Sequence, residues 1–251
     1  MENVIDCESI VLRASFTIPG IAFLSFQLAL GQSTQWVLLL MEVMELFNAT
    51  SLHSIFLYSN NLSGPLSPSI CHLLCLQNLD LSQNSLSGSL LSDLANCCQL
   101  QRFVLSCYKF FGEIFDGIWP NLDNLLKLDL SSNEFNGSIP ADLGDLKSLS
   151  ETLNLSNHFS DEFPRSLDRL LMMVSFGLRH NNLNEQIPQI GTFENQGPTA
   201  FLNNPSLCGF PLQTPCIGNP PKSSPLDQQN QGTIFDTNSK KGLKPGFAIE
   251  R

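Results

Sequence analysis

The feature that most restricts this chain is a leucine pattern that returns about every 24 residues. It is clearest at Leu76–Leu90, LQNLDLSQNSLSGSL, where Leu76, Leu79, Leu81, Leu86 and Leu90 are joined by Asn84 and Gly88. The leading apolar positions are Leu52, Leu76, Leu100, Leu125, Leu149 and Met173, spaced 24, 24, 25, 24 and 24. A period of this length means stacked units, none of which can bury its apolar face alone. In each unit the x-L-x-L segment predicts a short strand with two inward side chains. The asparagine falls where the chain leaves the strand, and a buried amide there must bond backbone groups of its own and the neighbouring coil. Asn60, Asn84, Asn133 and Asn181 fill that position. The glycine predicts a bend at positive φ, and the I-P that follows it predicts a second extended segment. The expected fold is an α/β-type repeat solenoid with a short-stranded parallel sheet on its concave face, stacked at about 4.8 Å per coil.

Defects in the pattern predict where the stack is soft. Repeat three puts Tyr108 at the asparagine position, and a phenol cannot replace both halves of an amide. Repeat five, LSETLNLSNHFSDEFP, gains a residue before Leu153 and loses one between Leu155 and Phe159. Asp161 and Glu185 replace the turn glycines of repeats five and six. A non-glycine residue at positive φ is strained by on the order of 1 kcal/mol.

The chain divides into four segments. Residues 1–46 do not fit the repeat, and the uncharged run Ala14–Met41 is broken by Pro19, Gly20 and Gly31. Three readings stay open for it: a secretory signal with Ile18–Leu30 as apolar core, a spanning helix, or a leader not native to the fold. Glu2, Asp6 and Glu8 make the leader acidic where a signal wants it basic. Residues 47–192 hold six repeats, which stop after Pro188. Residues 193–216 are expected to cap the open end, with Cys208 and Cys216 closing a loop that carries Phe201, Leu202, Leu207 and Phe210. Residues 217–251 are rich in Pro, Ser, Gln and Asn, and read as a disordered linker.

Charge and motif content narrow the function. The net charge is −10 and no basic run exceeds Lys240-Lys241, so the footprint of a nucleic-acid binder is missing. Eight cysteines include no C-x-x-C pair, and Cys71-His72-x-x-Cys75 lacks zinc spacing, so neither a metal nor a cofactor is expected. The pairing of Cys71, Cys75, Cys97, Cys98 and Cys107 stays open. His53, His72, His158 and His180 are scattered and joined to no nucleophile motif, so no catalytic residue is assigned. Sequons at Asn48, Asn61, Asn136 and Asn154 are candidate glycosylation sites. What remains is a surface. The outward strand positions supply Phe56, Tyr58, Asn78, Asp80, Arg102, Lys127, Asp129 and Arg179 as candidate ligand contacts, with Phe56, Tyr58 and Arg102 as anchors because aromatics and arginine dominate hot spots.

Residues 47–246 resemble the ectodomain of a plant leucine-rich-repeat receptor-like kinase of the zygotic-arrest type. The segments that carry the likeness are FNATSLHSIFLYSNNLSGPL, LQNLDLSQNSLSGSL, LKSLSETLNLS, NQGPTAFLNNPSLCGFPLQTPC and KKGLKPG. The resemblance implies a right-handed leucine-rich-repeat superhelix, and makes 217–251 a juxtamembrane-like linker ahead of a membrane span missing from this chain. It also implies cell-surface signalling through a peptide ligand or another receptor's ectodomain. No V-A-I-K, H-R-D or D-F-G sequence occurs, so the chain is expected to be non-enzymatic, its kinase lacking. With a cleaved signal it would be secreted to the apoplast. The competing readings are a secreted, polygalacturonase-inhibitor-like inhibitor of cell-wall-degrading enzymes and a non-functional truncated gene product.

Overall fold

The computed structural model describes residues 10–13, 52–59, 62–106 and 109–216. The expectations for Asn48, Asn60, Asn61, Tyr108, residues 217–251 and most of 1–46 lie outside the described residues. Seven short parallel strands form one sheet in the order Ile10–Arg13, Leu52–Phe56, Asn78–Asp80, Arg102–Val104, Lys127–Asp129, Thr152–Asn154 and Ser175–Gly177. The last six mark coils one to six, and Ser54, Asn78, Arg102, Lys127, Thr152 and Ser175 stand side by side. Ile10–Arg13 lies outside the leucine period yet pairs in parallel with coil one at the sheet edge.

The segments after each bend form narrower ladders on the flank. Ser63–Gly64 pairs with Ser85–Leu86, Phe111–Glu113 with Glu134–Asn136, and Asn182–Gln186 with both Ser160–Asp161 and Ser206–Cys208. The far face consists of 3-10 turns such as Ser92–Asn96, Ala141–Asp145 and Arg165–Arg169, and no α-helix occurs among the described residues. A one-turn 3-10 segment spends few residues per coil, which suits a repeat of this length.

Alternation along each strand sends one row of apolar side chains inward: Ile55, Leu79, Phe103, Leu128, Leu153 and Phe176 are all buried. A second row, Leu86, Phe110, Phe135, Phe159 and Leu183, lines the core behind the asparagine turns. Phe110 stacks on Phe135 with ring centroids 6.2 Å apart. The core is therefore continuous along the stack, each coil covering the open side of the one before.

The asparagine ladder is longer than the leucine pattern indicates. Asn84 Nδ2 donates to Leu57 O in coil one and Leu81 O in its own coil, while its Oδ1 accepts from Leu62 N. Asn133 repeats the arrangement with Leu105 O, Leu130 O and Phe110 N, and Asn181 with Leu155 O, Leu178 O and Phe159 N. Asn157 joins them: its Nδ2 donates to Leu130 O, and its Oδ1 accepts from Asn133 N. Asn204 does the same beyond Pro188, donating to Leu178 O and Phe201 O and accepting from Leu183 N. The repeat geometry thus runs through the cap as a seventh coil, rather than stopping at Pro188.

Two further positions depart from the sequence expectation. Met173 is 70% exposed and Val174 is buried in the leading position, because the turn ahead of it is one residue longer, Leu170 to Val174 against Leu146 to Leu149. Val174 N donates to Leu171 O, the same turn bond that Leu149 N makes with Leu146 O. The bends of coils five and six do hold non-glycine residues at positive φ, Asp161 at 68° and Glu185 at 69°.

The end coil is closed by side chains as well as chain. Gln196 takes the place of a following strand, its Oε1 accepting from Phe176 N and its Nε2 donating to Val174 O. Phe193 and Phe201 pack edge-on against Phe163, with centroids 5.5 and 6.1 Å away. Cys208 and Cys216 form a disulfide beyond them. A second disulfide, Cys71–Cys97, ties the 3-10 turn of coil one to that of coil two across a separation of 26 residues. Cys75 is disulfide-bonded too, and Cys98 is a free, exposed thiol.

Two buried side-chain atoms among the described residues have no partner, Trp119 Nε1 and Asp142 Oδ1, both on the 3-10 face of coils three and four. Burial raises the Asp142 pKa from its ordinary 3.8 and the Asp116 carboxylate raises it further, while the Gly117 N–H bond opposes them. A raised folded-state pKa stabilises the fold only while the group is protonated, and that stability is lost as pH climbs through the folded pKa. Asp142→Asn is therefore expected to melt above the parent protein at about pH 7, the gap closing towards about pH 3, where both side chains are neutral. Thermal melts across that range check it. Asn133→Ala strands several buried backbone groups and should cost about 2–3 kcal/mol in urea unfolding, whereas exposed Asn136→Ala should change stability by under about 0.5 kcal/mol.

Candidate functional site

Three rows of outward side chains run across the concave sheet. Row one is Ser54, Asn78, Arg102, Lys127, Thr152 and Ser175, and row two is Phe56, Asp80, Val104, Asp129, Asn154 and Gly177. Row three, two residues further on, is Tyr58, Ser82, Ser106, Ser131, Ser156 and Arg179. Neighbours within a row are about 4.8 Å apart, so a partner lying across the coils meets one residue per coil.

Much of row two is held by row three. Asp80 Oδ1 accepts from both the N–H and the Oγ of Ser82, at 3.0 and 2.6 Å. Asp129 does the same with Ser131, at 3.0 and 2.7 Å, and Asn154 Oδ1 accepts from Ser156 Oγ at 2.9 Å. Each aspartate therefore commits one oxygen to its own turn. Gly177 is dictated by the same row: a Cβ there would lie 2.2 Å from Asn154 Oδ1. In row one Asn78 Nδ2 donates to Ser54 Oγ at 3.0 Å.

The cations differ in their freedom. Arg102 reaches over coil four and makes a two-pronged ion pair with Glu151 of coil five, Nε lying 3.2 Å from Oε2. Glu151 is not among the residues the period picks out. The residue inserted before Leu153 brings it there, and that insertion was the available signal. Lys127 lies between the paired residues in row one, half-buried, and Arg179 is exposed at the far end. No carboxylate lies within ion-pair reach of Lys127 or Arg179 among the described residues. Phe56 is half-buried, and Tyr58 is 48% exposed.

The structure thus brings the candidate contacts together in three zones. Phe56, Tyr58, Asn78 and Asp80 stand at one end, Arg102, Lys127, Asp129 and Glu151 in the middle, and Arg179 at the other. Of the two described sequons, Asn136 is exposed on the flank, while Asn154 is half-buried in the concave sheet beside buried Ser156. Among the described residues no group of three His, Cys, Asp or Glu side chains is arranged to hold a metal ion, and no helix is long and apolar enough to cross a membrane.

The Leucine Rich Repeat family model matches residues 51–73, 75–97 and 124–146. These lie in the regular coils; the matches omit the coils with inserted or lost residues. Among curated proteins, a probable LRR receptor-like serine/threonine-protein kinase of Arabidopsis thaliana is 34% identical over 114 residues, covering 35% of this chain and 13% of that protein. The Arabidopsis LRR receptor-like serine/threonine-protein kinase ERECTA is 39% identical over 51 residues, 20% of this chain and 5% of that one. Among solved structures, the plant peptide hormone receptor RGFR1 in complex with RGF2 superposes with a TM-score of 0.57 at 29% identity, over 65% of this chain and 26% of the receptor. The Arabidopsis receptor kinase HAESA, in complex with the peptide hormone IDA and the co-receptor SERK1, gives 0.57 at 30% identity, over 64% of this chain and 26% of that one. The chain therefore spans about a quarter of these two solved chains, and less of the curated relatives. With the repeat, the parallel ladder and these likenesses together, the chain is a leucine-rich-repeat solenoid, similar in fold to solved plant receptor kinases.

Proposed function

We propose that this chain is a non-catalytic binding module which takes a peptide, or the ectodomain of another receptor, on its concave face as part of cell-surface signalling. The observation that carries the reading is the division of labour on that face. The polar residues of row two, Asp80, Asp129 and Asn154, are anchored to row three, so the sheet presents a stiff floor, while Tyr58, Lys127 and Arg179 project from it. A preordered surface loses little side-chain freedom when a partner docks. The spacing of one residue per coil suits an extended chain laid across the coils. RGFR1 and HAESA support the reading, since each was solved in complex with a peptide hormone, HAESA together with a co-receptor as well.

Glycosylation fits the same surface. A glycan on Asn136 would stand clear on the flank, whereas one on Asn154 would obstruct the concave face, so we assign the modification to Asn136. Expressed through a plant secretory pathway, Asn136→Gln should lose the mass of one glycan and Asn154→Gln none. Intact-mass spectrometry checks both.

Binding is tested by screening the full chain against plant secreted peptides and receptor ectodomains. For any partner captured, the joint change Tyr58→Ala with Lys127→Ala should weaken affinity at least about tenfold, equivalent to about 1.4 kcal/mol. Met172→Ser with Met173→Ser, on the exposed return loop, should leave it unchanged. The reverse pattern in biolayer interferometry would move the site off the concave face.

A further inference from the structure

The flank of coil three carries two aromatic side chains that the core does not use. Phe111 is 53% exposed and Phe115 48%, while Phe110 and Ile114 beside them are buried. Phe110 stacks on Phe135, but Phe111 makes no ring contact among the described residues. In the flank ladder Phe111 stands opposite Glu134, and Glu113 opposite Asn136. Phe111 and Asn136 are therefore diagonal neighbours on adjacent strands, both exposed and about 8 Å apart by strand spacing and rise. Each directly precedes the bend glycine of its coil, Gly112 or Gly137, both at positive φ. Asn136-Gly137-Ser138 is the exposed sequon of this flank.

The surroundings of Asn136 decide which way a sugar attached there can lie. Glu113 lies over Gly137, since a Cβ on that glycine would meet Glu113 Cγ at 2.8 Å. That side chain closes the way towards Phe115, which follows it on the same strand exit. Beside Phe111 the ground is open, and a Cβ on Gly112 would meet nothing within 4 Å. Towards coil five the ladder continues through Ser138 and half-buried Ser160, which offer no apolar face. Phe111 is thus the apolar surface left open to a group on Asn136. N-acetylglucosamine has one face made of C–H groups, and these pack favourably on the electron-rich face of an aromatic ring.

We propose that Phe111 is a docking platform for the first N-acetylglucosamine of a glycan on Asn136, the sugar lying from coil four across to coil three. The contact covers an exposed aromatic ring with the apolar face of a sugar whose hydroxyls stay in water. It also fixes the direction in which the glycan leaves the protein. A first sugar held on Phe111 keeps the remainder over the flank of coils three and four, clear of the concave rows. The inference rests on the assignment of the glycan to Asn136 made above, and not on what the concave face binds.

The test uses the full chain, expressed in plant cells with a mannosidase inhibitor so that an endoglycosidase can trim the glycan to its first sugar. The C–H signals of that sugar are then read by NMR in the parent protein, in Phe111→Ser and in Phe115→Ser. Ring-current displacement of the sugar signals is expected in the parent and in Phe115→Ser, and its loss in Phe111→Ser. The trimming reaction gives a second reading on the folded, untrimmed protein. Phe111→Ser should be cleaved at least about threefold faster than the parent, the scale of one aromatic contact, and Phe115→Ser at the parental rate. Both substituted residues are exposed, so the variants are expected to fold. Sugar signals that are the same in the parent and in Phe111→Ser, or that move in Phe115→Ser instead, overturn the inference while leaving the glycan on Asn136. Intact mass showing no glycan on Asn136 overturns the platform together with the site assignment, so the two failures are told apart.

Discussion

A carboxamide buried between two coils has donors and an acceptor to satisfy, and no water to satisfy them. In this chain the backbone is wound so that each ladder asparagine meets carbonyls of its own coil or the one before, and backbone N–H groups at the turn. Strand spacing, the exit angle from each strand and the inward aim of the phenylalanine row all follow from that arrangement. Leucines make the stack favourable by burial, but burial is non-directional and would tolerate slippage between coils. The amides are directional, and together with the backbone hydrogen bonds they set the register.

The same economy shapes the surface. A strand only three residues long has few outward positions, so a side chain that steadies the turn is drawn from those that could greet a partner. Asp80 and Asp129 are drawn in this way, each with one oxygen held by its turn. A concave face of this kind is stiff where its acidic residues sit and adaptable where Lys127 and Arg179 project. On the function proposed above, its specificity would depend on a few projecting side chains held on a fixed grid.

How much of this was legible in the sequence depended on whether the count of residues stayed regular. Where the period held, the leucine pattern located the strands, the inward side chains and the asparagines Asn84 and Asn133. Where it slipped by one, the pattern misled. Asn157 was hidden because the residue before it is lost, and Val174 because an extra residue precedes it. Asn204 was hidden by a cap whose prolines and cysteines do not look like a repeat. Backbone hydrogen bonds restore the register after each slip, and that correction takes place between coils, where a one-dimensional pattern cannot record it. The partnership of Arg102 with Glu151 was equally invisible, since it joins residues 49 apart across an intervening coil.

That bridge spans two intervals of the stack, so its length depends on how tightly coils three to five are curled. A partner that spreads the concave side must stretch or break it, releasing an arginine and a glutamate next to Lys127. A partner that tightens the curl leaves it intact and meets a neutral pair instead. The ion pair couples the bending of the solenoid to the charge that the centre of its inner face presents, so shape and electrostatics there change together.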